Sequence, residues 1–178
     1  MSGLVQSPAH ASSAPNGMYS CTTGVISESY DEPSYQIANH LVGGGGSCAG
    51  AVVIPIGVTA IGPNAFSGSS LTSITIPATV THILAGAFYQ ATQLTSITIP
   101  ASVTTIGDAA FRGATALNSV TIPAGVTSIG AAAFYEASAL TSITIPASVT
   151  SIGANAFYGA TALTSITIPA SVTSIGAN

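Results

Sequence analysis

The sequence predicts a repeat solenoid, specifically a right-handed β-solenoid. Its 22–23-residue rungs consist of short parallel strands joined by irregular or short helical turns. Three observations carry this reading. Ile-Pro recurs with its proline at Pro55, Pro77, Pro100, Pro123, Pro146 and Pro169, spaced by 22 and then by 23 four times. All five phenylalanines, Phe66, Phe88, Phe111, Phe134 and Phe157, share one phase. Leu71, Leu94, Leu117, Leu140 and Leu163 mark it again, and a clean unit reads LTSITIPASVTSIGANAFYGATA over 140–162.

Each unit opens on a strand. Leu140, Ile143 and Ile145 form L-x-x-I-x-I, and Ile143-Thr144-Ile145 alternates with the period of two that a strand requires. The β-branched side chains suit a pleated, half-buried surface. Pro146 lacks a backbone N–H, so ladder pairing ends at the same place in every rung. Val149 and Ile152 follow with Thr150 and Ser151 between them, and Gly153 is expected to supply a turn. Ala156-Phe157 then falls on a short helical or irregular turn. The apolar side chains of one 23-residue unit cannot offset the entropy of ordering it. Stacked units share burial and hydrogen bonds, so like residues form ladders about 4.8 Å apart.

The pattern L-x-x-I-x-I-P-x-x-V-x-x-I-G-x-x-A-F, quoted from 140–157, resembles the BspA-like (Treponema-type) leucine-rich repeat. Similar stretches begin at Leu71, Leu94 and Leu117, and the resemblance covers 51–178. Leu84 replaces the glycine in the first of these, and Val120 replaces an isoleucine in the third. Where the family places Cys three residues after the Phe, this chain has Ala91, Ala114, Ala137 and Ala160. The resemblance implies a secreted or cell-surface protein of bacteria or protists that takes part in adhesion and binds host or matrix proteins.

Three segments are expected. Residues 1–18 read as a flexible leader or the remnant of a signal peptide, with Ala9-His10-Ala11 resembling a cleavage site. Residues 19–50 read as an N-terminal cap over the open solenoid end. Residues 51–178 read as the repeat array. It ends mid-repeat at Asn178, which implies either a longer parent chain or another molecule over that face. The cap holds both cysteines, Cys21 and Cys48. A disulfide between them would close a loop worth about 3.5 kcal/mol on a chain-entropy basis and needs an oxidising compartment. Free thiols are the alternative. A metal site is the least favoured, because there is no C-x-x-C and His40 leaves the ligand set incomplete.

Composition excludes several functions. Charged residues are 3% of the 178, with Arg112 the one cation and no lysine. Nucleic acid and anionic lipid both demand a basic patch that one arginine cannot form. The longest apolar run, 48–58, is eleven residues and already contains Gly and Pro. A spanning helix needs about 18, so membrane insertion is not expected. The reading is a protein whose surface is polar through hydroxyls. Catalysis needs convergent acid, base and nucleophile groups, and none gather around the serines. There is no G-x-S-x-G, and no G-K-[ST] follows the glycines at 43–46. Glu28, Asp31 and Glu32 lack a cation-loop spacing. No catalytic residue, cofactor or metal is therefore assigned, and His82 reads as a neutral outward substitution.

The candidate binding surface has two parts. Thr75, Thr98, Thr121, Thr144 and Thr167 make one hydroxyl row, and Thr81, Thr104, Thr127, Thr150 and Thr173 make another. Such rows suit β-structure and solubility, an O-glycosylated coat, or ordered water. Tyr89, Tyr135 and Tyr158 follow the core Phe in their rungs and are expected to face outward, with Arg112 interrupting the series. They read as an amphipathic cover of the turn or as a stacking stripe for sugar or protein. Asp108, Arg112 and Glu136 are expected to meet as a surface ion pair worth about 0–1 kcal/mol, with a ligand-recognising Arg112 as the alternative. Non-catalytic adhesion or protein/glycan binding is the leading function. A self-assembling filament subunit stacked end to end is the alternative, and ice binding through the Thr ladders is the third reading.

Overall fold

The computed structural model describes residues 18–22, 25–29, 40–41, 48–54 and 56–177. The leader at 1–17, Asp31, Glu32 and the glycines at 43–46 lie outside them, and so do the side chains of Cys21, Glu28 and His40. Fourteen strands and no helix are present among the described residues. No helix there is long and apolar enough to cross a membrane.

The strands stack as ladders with a repeat of 22–23 residues. One ladder takes the second strand of each rung: β5 (Ala60–Ile61), β7 (His82–Ile83), β9 (Thr105–Ile106), β11 (Ser128–Ile129), β13 (Ser151–Ile152) and β14 (Ser174–Ile175). They pair in parallel, with isoleucine on isoleucine from Ile61↔Ile83 to Ile152↔Ile175. At the N-terminal end this sheet continues into β3 (His40–Leu41), β1 (Met18–Thr22) and β2 (Val25–Ser29), making nine strands. The β1–β2 pair is antiparallel and forms that edge of the sheet.

The first strand carries a Ser-Ile-Thr motif in β8 (Ser96–Thr98) and β12 (Ser142–Thr144) and Ser-Val-Thr in β10 (Ser119–Thr121). These three form a parallel sheet in strict register. β4 (Ala49–Val53) pairs with β6 (Ser70–Thr75), with a register shift at Gly50/Ala51, where Gly50 has φ 71°. The repeat proline acts where the sequence places it. Its carbonyl accepts the N–H of the valine three residues on, as in Val103→Pro100 and Val149→Pro146, both within 3.1 Å. Each strand thus ends in a tight turn at the same point.

Leu71, Leu94, Leu117 and Leu140 are fully buried, with the isoleucines and valines of both strands beside them. Phe66, Phe88, Phe111, Phe134 and Phe157 form one column. Neighbouring ring centroids are 5.3, 5.1, 5.2 and 5.6 Å apart, and the planes lie within 8°. These separations exceed the ~4.8 Å rung spacing, which leaves room for the lateral offset that stacked rings prefer. The place three residues after each Phe admits only a small side chain. Ala91, Ala114 and Ala137 are fully buried there, and in the first rung Ser69 instead donates its Oγ–H to the Phe66 carbonyl at 2.7 Å.

The Phe-bearing turn is irregular, with two hydrogen-bond sets interleaved. Gly86, Phe88 and Gln90 donate N–H bonds to the next rung's Asp108, Ala110 and Arg112 carbonyls, while Ala87, Tyr89 and Ala91 donate three residues back within their own rung. This alternation bends the chain without building a helix. It also forces two positions per turn to positive φ: Asn64, Gly86, Ala109, Ala132 and Asn155 at the first, and Gly68, Gln90, Gly113, Glu136 and Gly159 at the second. Alanine in this region is strained by roughly 1–2 kcal/mol, and the greater backbone entropy of an unfolded glycine returns about 0.5–1 kcal/mol of that. Ala109→Gly and Ala132→Gly are therefore each expected to stabilise the fold by about 0.5–1 kcal/mol. A rise in Tm for each, adding in the double variant, is the measurement that checks it.

The repeat glycine has a different role from the turn expected of it. Gly107, Gly130, Gly153 and Gly176 carry no left-handed φ. Each lies against the backbone of the rung before it: a Cβ on Gly107 would come 2.7 Å from the Ala85 nitrogen and the Leu84 carbonyl carbon. Glycine is required there because two backbones meet. Leu84 stands at this place in the rung that lies 22 residues after its predecessor, and from Gly107 onward the place is glycine.

Candidate functional site

The two parts of the candidate surface lie on different elements of the rung. Thr75, Thr98, Thr121 and Thr144 on the strands, and Thr167 at the same phase one rung on, are all exposed. Ser96, Ser119 and Ser142 stand two residues before their threonines on the same face and are exposed as well. In-register pairing makes this face a grid of hydroxyls. The second threonine row is committed to the fold. Thr81, Thr104, Thr150 and Thr173 donate their hydroxyls to the carbonyl of the matching threonine one rung earlier, at 3.1–3.3 Å. Ser102, Ser148 and Ser171 do the same to Val80, Val126 and Val149 at 2.6–2.8 Å. Sequence reasoning grouped the two threonine rows, but their chemistry differs: four members of one row clasp the rung before them while three of these remain exposed, and the other row faces solvent without such a bond. His82 is exposed, and its Nδ1 lies 2.7 Å from Thr81 Oγ1.

The second part sits on the Phe-bearing turns. Tyr89, Arg112, Tyr135 and Tyr158 each follow a core Phe, so the stacking that orders the phenylalanine column also orders them. The expectation that Arg112 interrupts this series is overturned. Its guanidinium carbon lies 5.8 Å from the Tyr89 ring centroid and 4.6 Å from that of Tyr135, and Tyr135 stacks on Tyr158 at 5.0 Å. The four side chains make one continuous column. A cation over an aromatic face gains about 0.5–1 kcal/mol at an exposed site, so arginine here replaces one stacking partner by another. Tyr89, Arg112 and Tyr135 are half-buried, and Tyr158 is 56% exposed. Tyr135 and Tyr158 turn ring faces to each other, and the Arg112 guanidinium carbon lies over the faces of Tyr89 and Tyr135, so the faces between neighbouring rungs are covered. A ligand has little ring face to stack on between Tyr89 and Tyr135.

The expected charge cluster does not form. Arg112 makes no ion pair with Asp108 or Glu136. Asp108 Oδ1 instead accepts the Ala131 N–H of the next rung at 2.7 Å, because Asp108 follows Gly107 where the chains approach closely. Glu136 holds a left-handed backbone position, φ 56°, and its Cγ packs near Gly159. The spacing of 108, 112 and 136 showed proximity in sequence and rung, but not these stronger local partners.

Where the array ends in this chain, Ile152, Phe157, Ile166, Ile168 and Ile175 line a shallow apolar depression. Among the described residues no group of three His, Cys, Asp or Glu side chains could hold a metal ion.

The sequence matches the BspA type leucine rich repeat region in six copies over residues 59–178. No curated protein sequence matches the chain. Among solved structures it is similar to the Treponema pallidum leucine rich repeat protein, at 27% identity and TM-score 0.58, over 71% of this chain and 56% of that one. It is similar to a leucine rich cell surface protein of Faecalibacterium prausnitzii, at 28% identity and TM-score 0.54, over 82% of this chain and 51% of that one. A leucine-rich repeat protein of Eubacterium ventriosum matches at 29% identity and TM-score 0.53, over 72% and 41%. The chain thus spans between 41% and 56% of the length of these relatives.

Proposed function

The chain belongs to the BspA-type leucine-rich repeat family, and from that premise we propose that it is a non-catalytic binding scaffold at a bacterial cell surface. Its ligand is a protein or glycan met by the outer turns. The observation that carries this reading is the unbroken column Tyr89–Arg112–Tyr135–Tyr158, half-exposed over a close-packed phenylalanine stack. The fold fixes these side chains before any ligand arrives, and preorganisation of this kind lowers the cost of binding. The cell-surface name of the Faecalibacterium relative supports the location. The test is adhesion of the purified chain to a panel of immobilised matrix proteins and glycans. Saturable capture by one of them is the expected result, and capture of none sinks the reading.

The Cys21–Cys48 disulfide belongs to this proposal, since an exported protein meets an oxidising medium. Cys48 is fully buried against the first rung, which suits a bridge anchoring the segment before it. Without reductant, thiol labelling of the unfolded chain is expected to find no free cysteine. Two labelled thiols would remove the bridge.

End-to-end stacking of the 178-residue chain is the second reading. It is favoured by the near-identical rungs, whose strands pair in parallel and in register along the array. Filaments of uniform width in negative stain would support it, and discrete monomers in light scattering would end it.

A further inference from the structure

Arg112 is the one arginine of a sequence with no lysine. It is held between two aromatic rings and makes no hydrogen bond or ion pair. A guanidinium is planar, with five N–H donors directed in its plane and no acceptor. Tyr89 and Tyr135 flank its guanidinium carbon, their ring centroids 5.8 and 4.6 Å away, and no side-chain acceptor among the described residues takes its N–H donors. The side chain is half-buried, and the rings restrict its rotamers in advance. The partner that matches such a fork is a planar carboxylate accepting two parallel N–H bonds. The chain's own carboxylates do not take this role. Asp108 is engaged by the Ala131 N–H, and Glu136 packs near Gly159.

The surroundings select among carboxylate carriers. Three residues beyond the column in each rung stand Thr92, Thr115, Ser138 and Thr161, all exposed and free of side-chain hydrogen bonds. A row of exposed hydroxyls three residues along the same turns from a single fork complements a ligand with one carboxylate and several hydroxyls. A polyacidic peptide finds no second cation here and meets a protein of net charge −4.

We propose that the Tyr89–Arg112–Tyr135 clamp and the adjacent hydroxyl row form a subsite for a carboxylated sugar residue of a glycan. This rests on the binding-scaffold reading and narrows it.

The test uses the 178-residue chain and three probes: a galacturonic acid tetramer, the neutral galactose tetramer and tetraglutamate, titrated by calorimetry and by NMR. The acidic sugar is expected to bind and to shift the Arg112 Nε–H and the Tyr89 and Tyr135 ring signals. The other two probes are expected to bind roughly tenfold more weakly or less, the loss of one charge-assisted bidentate contact. Arg112→Lys keeps the charge but not the fork and is expected to lose roughly fivefold or more. Arg112→Tyr is expected to lose binding while keeping its circular dichroism and Tm, because tyrosine already fills this place in three other rungs. Unchanged binding in Arg112→Tyr, no binding by the natively folded wild type, or equal binding of tetraglutamate would each overturn the assignment. A matrix ligand captured equally well by Arg112→Tyr would overturn this clamp while leaving the scaffold reading intact. Capture of nothing on the panel would remove both.

Discussion

Phe111→Ala is expected to cost about 3–5 kcal/mol, the range for truncating a buried aromatic, and to be the most damaging alanine substitution in the array. Phe111 is fully buried and stacks on both Phe88 and Phe134. The cavity would lie in the middle of a column that rungs on either side cannot collapse to fill, since their spacing is fixed by ladder bonds. Phe157→Ala removes the same side chain from the end of the phenylalanine column, where one stacked pair is lost and the ring is only partly buried. Its cost is expected to be less than half as large. Urea denaturation of the two variants checks this, and equal losses would mean that the column does not transmit stability along the array. Nearest-neighbour coupling in repeat proteins also predicts that the central variant broadens or splits the transition.

Gly153→Ala is expected to cost about 2–3 kcal/mol, at the upper end for forcing one methyl into a packed site. Its Cβ would come 2.6 Å from both the Ala131 Cα and the Gly130 carbonyl carbon, and closer still to the Ala131 nitrogen. Backbone atoms cannot rotate aside as a side chain would, so the two rungs must separate and strain the Gly153→Ile129 hydrogen bond, now 2.8 Å. Gly113→Ala offers a contrast. There the φ is 71° and the neighbour at 3.2 Å is the flexible Gln90 side chain, so the penalty is conformational and smaller. Calorimetric Tm values for the two variants should fall in that order. If Gly153→Ala melts with the wild type, the close inter-rung contact is wrong.

Much of this fold is written in the spacing of the sequence. Pro146, Phe157 and Leu140 recur in phase because each must meet its own copy one rung away, and that constraint is visible in one dimension. The hydroxyl rows are legible as rows for the same reason. Their separation into a clasp and a solvent face was not, because it depends on whether a neighbouring carbonyl lies within reach of the Oγ. Arg112 looked like a break since tyrosine and guanidinium differ in composition. Only the distances to Tyr89 and Tyr135 show that both can present a flat face to a stack. The left-handed places at 109, 132 and 136 had one signal available, the Asn and Gly found at the same phase in sister rungs. Gly153 was recognised as special for the wrong reason, since a glycine required by φ and one required by space are identical letters.

The chain belongs to the BspA-type leucine-rich repeat family and spans 41–56% of the length of the solved structures it is similar to. For this chain, the argument for binding rests on which surface is rigid, exposed and chemically distinct. Two surfaces compete: the Ser/Thr grid on β8, β10 and β12, and the column on the outer turns. Hydrogen exchange of the chain, with and without saturating galacturonic acid tetramer, distinguishes them directly. The expected result is added protection confined to 89–92, 112–115 and 135–138, with the amides of β8, β10 and β12 unchanged. Protection centred on those three strands, or spread evenly along the array, would contradict the account.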